Sequence, residues 1–99
     1  MPVISEDVFK LMAEDCIPGG SRENLKTANT FTNWNGVSVA QKHLLADAQT
    51  SGGLLLCVPE ANLENVLMIL RKAGMPSAAL IGKIVPRRRR GPLICMTSR

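Results

Sequence analysis

Residues 54–58 (Leu-Leu-Leu-Cys-Val) form an unbroken apolar run of strand length, and a strongly periodic helix pattern follows at once. A run apolar at every position suits a strand buried on both faces, because successive side chains point to opposite sides. Pro59 and Glu60 open the helix. Leu63, Val66, Leu67, Leu70 and Ala73 then recur at i, i+3, i+4 and i+7 spacing, which gathers them on one face. Glu60 and Glu64 lie at the positive end of the helix dipole, Arg71 and Lys72 at the negative end. Gly74 is placed to finish the helix, and Pro76 prevents its continuation. Residues 78–85 read as a second strand, 86–92 as a basic turn, and 93–96 as a third short strand. The last two strands can pair as a hairpin across that turn. This order requires a layered α/β (α+β) architecture, a small sheet with helices packed on it.

The N-terminal half adds helices and loops. Ser5 opens a first helix with Glu6 and Asp7 near its positive end, and Val8, Phe9, Leu11 and Met12 supply its apolar face. Pro18-Gly19-Gly20 ends it. Ser21 caps a short helical turn through Arg22, Asn24 and Leu25. Residues 29–36, rich in Asn and Thr, read as loop. Ser38 and Gln41 have capping-box spacing, which predicts a helix over 39–46.

The 99 residues suit one small domain. Aromatic residues make up 3%, so Leu, Ile, Val and Met must fill the core. No apolar run is long enough to span a bilayer, and the N-terminus carries no signal-peptide pattern. Cys16, Cys57 and Cys95 are scattered singly, without the spacing of a zinc site or a disulfide framework. Cys57 and Cys95 read as small buried hydrophobes, and a reducing, cytoplasmic setting follows. The net charge of +4 is local: without Arg87, Arg88, Arg89 and Arg90 the chain has no net charge.

The densest polar loop is Gln49-Thr50-Ser51-Gly52-Gly53. Backbone N–H groups around two glycines can form an anion-binding concavity, with the Thr50 and Ser51 hydroxyls adding donors. The competing reading, a tight turn that needs glycine dihedrals, is the one chemistry alone favours; no Walker A spacing is present. Asp47 could bind a metal or act as a base, but a single Asp at a helix end more often caps or turns. Gly19 and Gly20 carry the same ambiguity between phosphate contact and helix break. His43 has no nucleophile beside it and reads as a surface or boundary residue. Trp34 reads as a packing anchor. The arginine run could contact phosphate backbones, but without interleaved aromatics it reads as a solvated turn.

The string Leu44-Leu45-Ala46-Asp47-Ala48-Gln49-Thr50-Ser51-Gly52-Gly53-Leu54-Leu55 resembles the Leu-x-Asp-x-Gln-Thr-Ser-Gly-Gly-Leu-Leu signature of selenophosphate synthetases (selenide, water dikinases). Upstream, Ile17-Pro18-Gly19-Gly20-Ser21-Arg22-Glu23-Asn24-Leu25 resembles that family's Pro-Gly-Gly-(Ser/Thr)-x-x-Asn segment. Val58-Pro59 and Ile81-Gly82-Lys83-Ile84-Val85 also fit. Two motifs in order are far more specific than either alone.

The resemblance implies an enzyme family that makes selenophosphate from selenide, ATP and water with magnesium. It implies membership among the aminoimidazole ribonucleotide synthetase-like proteins, which have two domains and usually dimerise. The family's catalytic Cys or selenocysteine, its nearby Lys and its metal-binding aspartates have no counterpart here. Residues 1–99 are therefore expected to be a single, truncated C-terminal domain, inactive alone because the groups phosphoryl transfer needs are missing. No catalytic or metal residue is assigned. Gly19, Gly20, Gln49, Thr50, Ser51, Gly52 and Gly53 are expected on a phosphate-side or domain-interface surface. ATP and magnesium belong to the parent enzyme, with none held tightly by this piece. The expected partners are the N-terminal catalytic domain and further copies of the chain, not a membrane or nucleic acid. The alternatives are a non-catalytic interaction module and a weak nucleic-acid binder acting through the arginines.

Overall fold

Ser5 fixes where the first helix begins. In the computed structural model, which describes Val3 and residues 5–97, its Oγ accepts from the Asp7 N–H at 3.2 Å. Helix α1 (Asp7–Ala13) follows, with Lys10 Nζ 2.9 Å from Asp7 Oδ1 along its exposed side. The helix stops earlier than the sequence suggests. Asp15 takes a left-handed φ of 62°, a conformation Asp tolerates better than most residues, and the chain turns there.

Pro18-Gly19-Gly20, expected to end a helix, instead starts one. Pro18 is the N-cap of α2 (Gly19–Asn29), whose 11 residues replace the short turn that the sequence suggests. Ser21, Leu25 and Ala28 fall on its inner face at i, i+4 and i+7. Ser21 is 0% exposed and Leu25 9%. The expected loop at 29–36 contains a short strand, β1 (Thr32–Asn33). Trp34 beside it is half-buried: its Nε1 donates to Asn29 Oδ1 at 2.7 Å, and Lys42 Nζ lies 5.7 Å from the ring centroid.

Helix α3 (Val39–Leu45) begins with the capping box read from the sequence. The Gln41 N–H donates to Ser38 Oγ at 3.3 Å, and the Ser38 N–H donates to Gln41 Oε1 at 3.2 Å. α3 packs against both α1 and α2. These elements and residues 85–97 form one compact unit. Its strand β2 (Ile94–Cys95) pairs with β1 in parallel, Thr32 opposite Ile94 and Asn33 opposite Cys95. The expected hairpin is therefore wrong: β2 pairs with a strand from the N-terminal half. Leu93 and Met96 extend the link, donating to Phe31 O and Asn33 O at 2.8 Å each.

The second unit comprises residues 51–84 with Val3. Its centre is a 3-10 turn, Glu60–Asn62, leading into α4 (Leu63–Lys72). Leu63, Val66, Leu67 and Leu70 are half-buried on the periodic face. Gly74 ends α4 with a φ of 87°, so the expected glycine stop is real. Lys83 Nζ pairs with Glu60 Oε2 at 3.0 Å.

Two expected strands are absent. Residues 54–58 and 78–85 are irregular, and Leu54 and Leu55 are 84% and 70% exposed. A strand exists only when a neighbour takes its N–H and C=O groups. Among the described residues no such neighbour pairs with either segment. The same fact overturns the expected burial of Cys57, and Cys95 is exposed as well although it lies in β2; both are free, as is Cys16. The class is still mixed α/β: the described residues form four α-helices and a two-stranded parallel sheet.

Candidate functional site

The two sequence motifs meet in three dimensions through Ser21. Its position on the inner face of α2 aims the hydroxyl at the C-terminal end of α3. Ser21 Oγ donates to Asp47 Oδ1 at 2.5 Å and accepts from the Ala48 N–H at 3.1 Å. Three positions on, Asn24 Nδ2 donates to Ala46 O at 3.1 Å, satisfying a carbonyl that the end of α3 leaves free. A Cβ added to Gly20 would come within 3.4 Å of Ala48 Cβ, so the first turn of α2 lies in van der Waals range of the second motif. Ser21, Asn24, Ala46, Asp47 and Ala48 thus form a clasp between the start of α2 and the exit of α3.

The clasp changes the role of two residues. Ser21 does not cap a helix; it is a fully buried cross-link. Asp47 is neither a free base nor a metal ligand in this arrangement, since one oxygen accepts from Ser21 and the other lies 3.5 Å from Gln49 Nε2. The signal for this pairing is a Ser in one motif and an Asp in the other, legible only once both helices are placed.

The exposed surface beside the clasp holds part of the expected set. Gly19 and Gly20 form the open first turn of α2, which carries no acidic side chain. The carboxylate that meets this positive helix end comes from outside the helix: Asp47, bound to Ser21 in the same turn. Gln49 and Thr50 leave the clasp directly and are exposed. Ser51, Gly52 and Gly53 are exposed too, but belong to the second unit. None of Gly19, Gly20, Gly52 and Gly53 has a positive φ; among the glycines only Gly36, Gly74 and Gly91 do. A turn that needs left-handed glycine therefore does not explain these motif glycines.

A pocket of about 210 Å³ opens on the other side of Asp47, walled by α1 and α3 and lined by Leu11, Met12, Cys16, Ile17, His43 and Asp47 among others. His43 Nδ1 is buried there without a hydrogen-bond partner. Among the described residues, no three His, Cys, Asp or Glu side chains converge as a metal cage. The one carboxylate beside the clasp is committed to Ser21, so these residues do not fit magnesium. Arg87, Arg88, Arg89 and Arg90 are exposed on a segment without regular structure.

Residues 8–93 match the family model described as AIR synthase related protein, C-terminal domain. Among curated proteins, the chain is 34% identical over 95 residues to a selenide, water dikinase of Aliarcobacter butzleri, covering 95% of this chain and 27% of that protein. It is 37% identical over 84 residues to the selenide, water dikinase of Sulfurimonas denitrificans, 85% of this chain and 24% of that protein. It is 40% identical over 76 residues to that of Pseudomonas putida, 77% of this chain and 21% of that protein. The chain thus spans about a quarter of the length of the curated relatives it matches. No solved structure gives a significant match.

Proposed function

The chain belongs to the AIR synthase related family through its C-terminal domain, and from that premise we infer that it is the C-terminal part of a selenide, water dikinase. The observation that carries this reading is the Ser21–Asp47 clasp. It gives the two family motifs one shared physical task, to hold the glycine start of α2 against the exit of α3. Chance similarity in two separate segments would not produce a pair of part-buried hydrogen bonds between them.

In this reading the parent activity is ATP- and magnesium-dependent phosphotransfer to selenium, in the cytoplasm. The clasp is a positioning device. Within its own unit it holds Gly19, Gly20, Gln49 and Thr50 for a phosphate-side or domain-interface role, and the family motif assigns the same role to Ser51, Gly52 and Gly53. The N–H groups at the start of α2 are open to a phosphate at Gly19 and Gly20, beside an Asp47 carboxylate already bound to Ser21. Metal ligands, nucleophile and lysine come from an N-terminal catalytic domain, which is the principal partner, and dimerisation belongs to the assembled enzyme. Residues 1–99 correspond to part of the C-terminal domain of that enzyme and have no activity alone.

The test is a chimera. The matched quarter of the Aliarcobacter protein is replaced by this chain, and selenophosphate and AMP are followed by phosphorus NMR with ATP and selenide. The chimera should turn over and the 99-residue chain should not. Selenophosphate formed by the chain alone would overturn the reading, as would a folded chimera with no activity.

A further inference from the structure

The four consecutive arginines have no task in the clasp or in the proposed enzyme. Each is exposed. Among the described residues the ion pairs are Lys10–Asp7, Arg22–Asp15, Lys26–Glu23 and Lys83–Glu60, and none of these involves the four arginines. All of the net charge of +4 resides in this one segment.

The fold keeps the segment outward. Pro86 and Pro92 bracket it, and neither can donate a ladder hydrogen bond. Each proline also biases the residue before it toward extended backbone, and Gly91 takes a φ of 134°. Immediately downstream, Leu93 and Ile94 donate to Phe31 O at 2.8 and 3.1 Å. The run is therefore a short basic loop anchored at its C-terminal end to β1.

We propose that residues 87–90 bind the phosphate backbone of a nucleic acid without reading its sequence. The charge spacing matches: drawn along a partner, the run carries one cation per ~3.3–3.6 Å, against one phosphate per ~3.4 Å along a nucleic-acid strand. Guanidinium groups grip phosphate oxygens in pairs, which lysines cannot do. No aromatic side chain occurs between 84 and 96 to stack on bases, so the contacts position and do not specify. A membrane surface is the weaker fit, because the run lies on no amphipathic helix. The inference stands independently of the proposed enzyme.

The experiment is fluorescence anisotropy of a labelled mixed-sequence single-stranded 20-mer with the full chain. Four neutralised phosphates give a log–log salt slope of about −2.8, so affinity should fall about 50-fold between 50 and 200 mM salt. A duplex of the same sequence should show a slope of about −3.6. Replacing all four arginines by alanine should abolish binding, and Arg88→Ala alone should reduce the slope by about 0.7. Replacing all four by lysine should keep the slope and lower the affinity. Far-UV circular dichroism checks that each variant is folded, and the lysine and single variants keep the test decisive if the alanine variant is not. Salt-independent binding, or an alanine variant that binds as tightly, overturns the proposal. So does a chain that ignores the oligonucleotide but binds phosphatidylserine vesicles or polyglutamate through the run.

Discussion

Ser21 does two things with one hydroxyl, donating to Asp47 and accepting from Ala48. Removing it leaves the Ala48 N–H without a partner in a part-buried place. Ser21→Ala should therefore destabilise its unit by about 1–3 kcal/mol, measured by urea unfolding. Asp47→Ala leaves the buried hydroxyl without its acceptor and should cost a similar amount. Because both changes break the same link, the double variant should cost less than their sum, with a coupling of roughly 0.5–3 kcal/mol. Strict additivity would mean that the two residues do not act together. At this scale the sequence is legible where a residue's task is local. Gly74 ends α4 as its position implies, because a left-handed stop needs only its own backbone. Ser21 and Asp47 are 26 positions apart, and nothing local announces that they meet.

Among the elements, α3 and α4 are the best read from sequence, because caps and periodicity lie inside the helix itself. Ser38→Ala removes half of a complete capping box and should cost about 1 kcal/mol, seen as a lower unfolding midpoint. Helix α2 escapes notice for a physical reason. It opens Gly-Gly, carries few apolar side chains and buries a serine, so its inner face does not look like a core stripe. The strands fail differently. Residues 54–58 and 78–85 have the composition of buried strands, but composition cannot supply the neighbour that completes a ladder. Leu55 is 70% exposed, so Leu55→Lys should change stability by no more than about 0.5 kcal/mol. A loss of several kcal/mol would show that residue 55 is covered after all.

At the scale of the whole molecule, the mixed α/β class is legible because helix and strand patterns alternate, while the partition into two units is not. Few side chains are buried: among the described residues Leu25 is the one buried apolar side chain, and Leu54, Leu80, Ile81, Ile84 and Val85 are all more than half exposed. Apolar surface of this kind invites association. The isolated chain should bind ANS strongly and show a mass that rises with concentration in light scattering, and the chimera should do neither to the same degree. The parallel pairing of β1 with β2 has a further consequence for the covalent order of the chain. One unit is built from two stretches far apart in sequence, residues 5–50 and 85–97, and residues 51–84 of the other are an insertion between them. A protease that nicks the insertion would leave both stretches of the first unit intact. Two fragments should then stay together under native conditions and separate only in denaturant, held by the backbone bonds from 93–96 to 31–33.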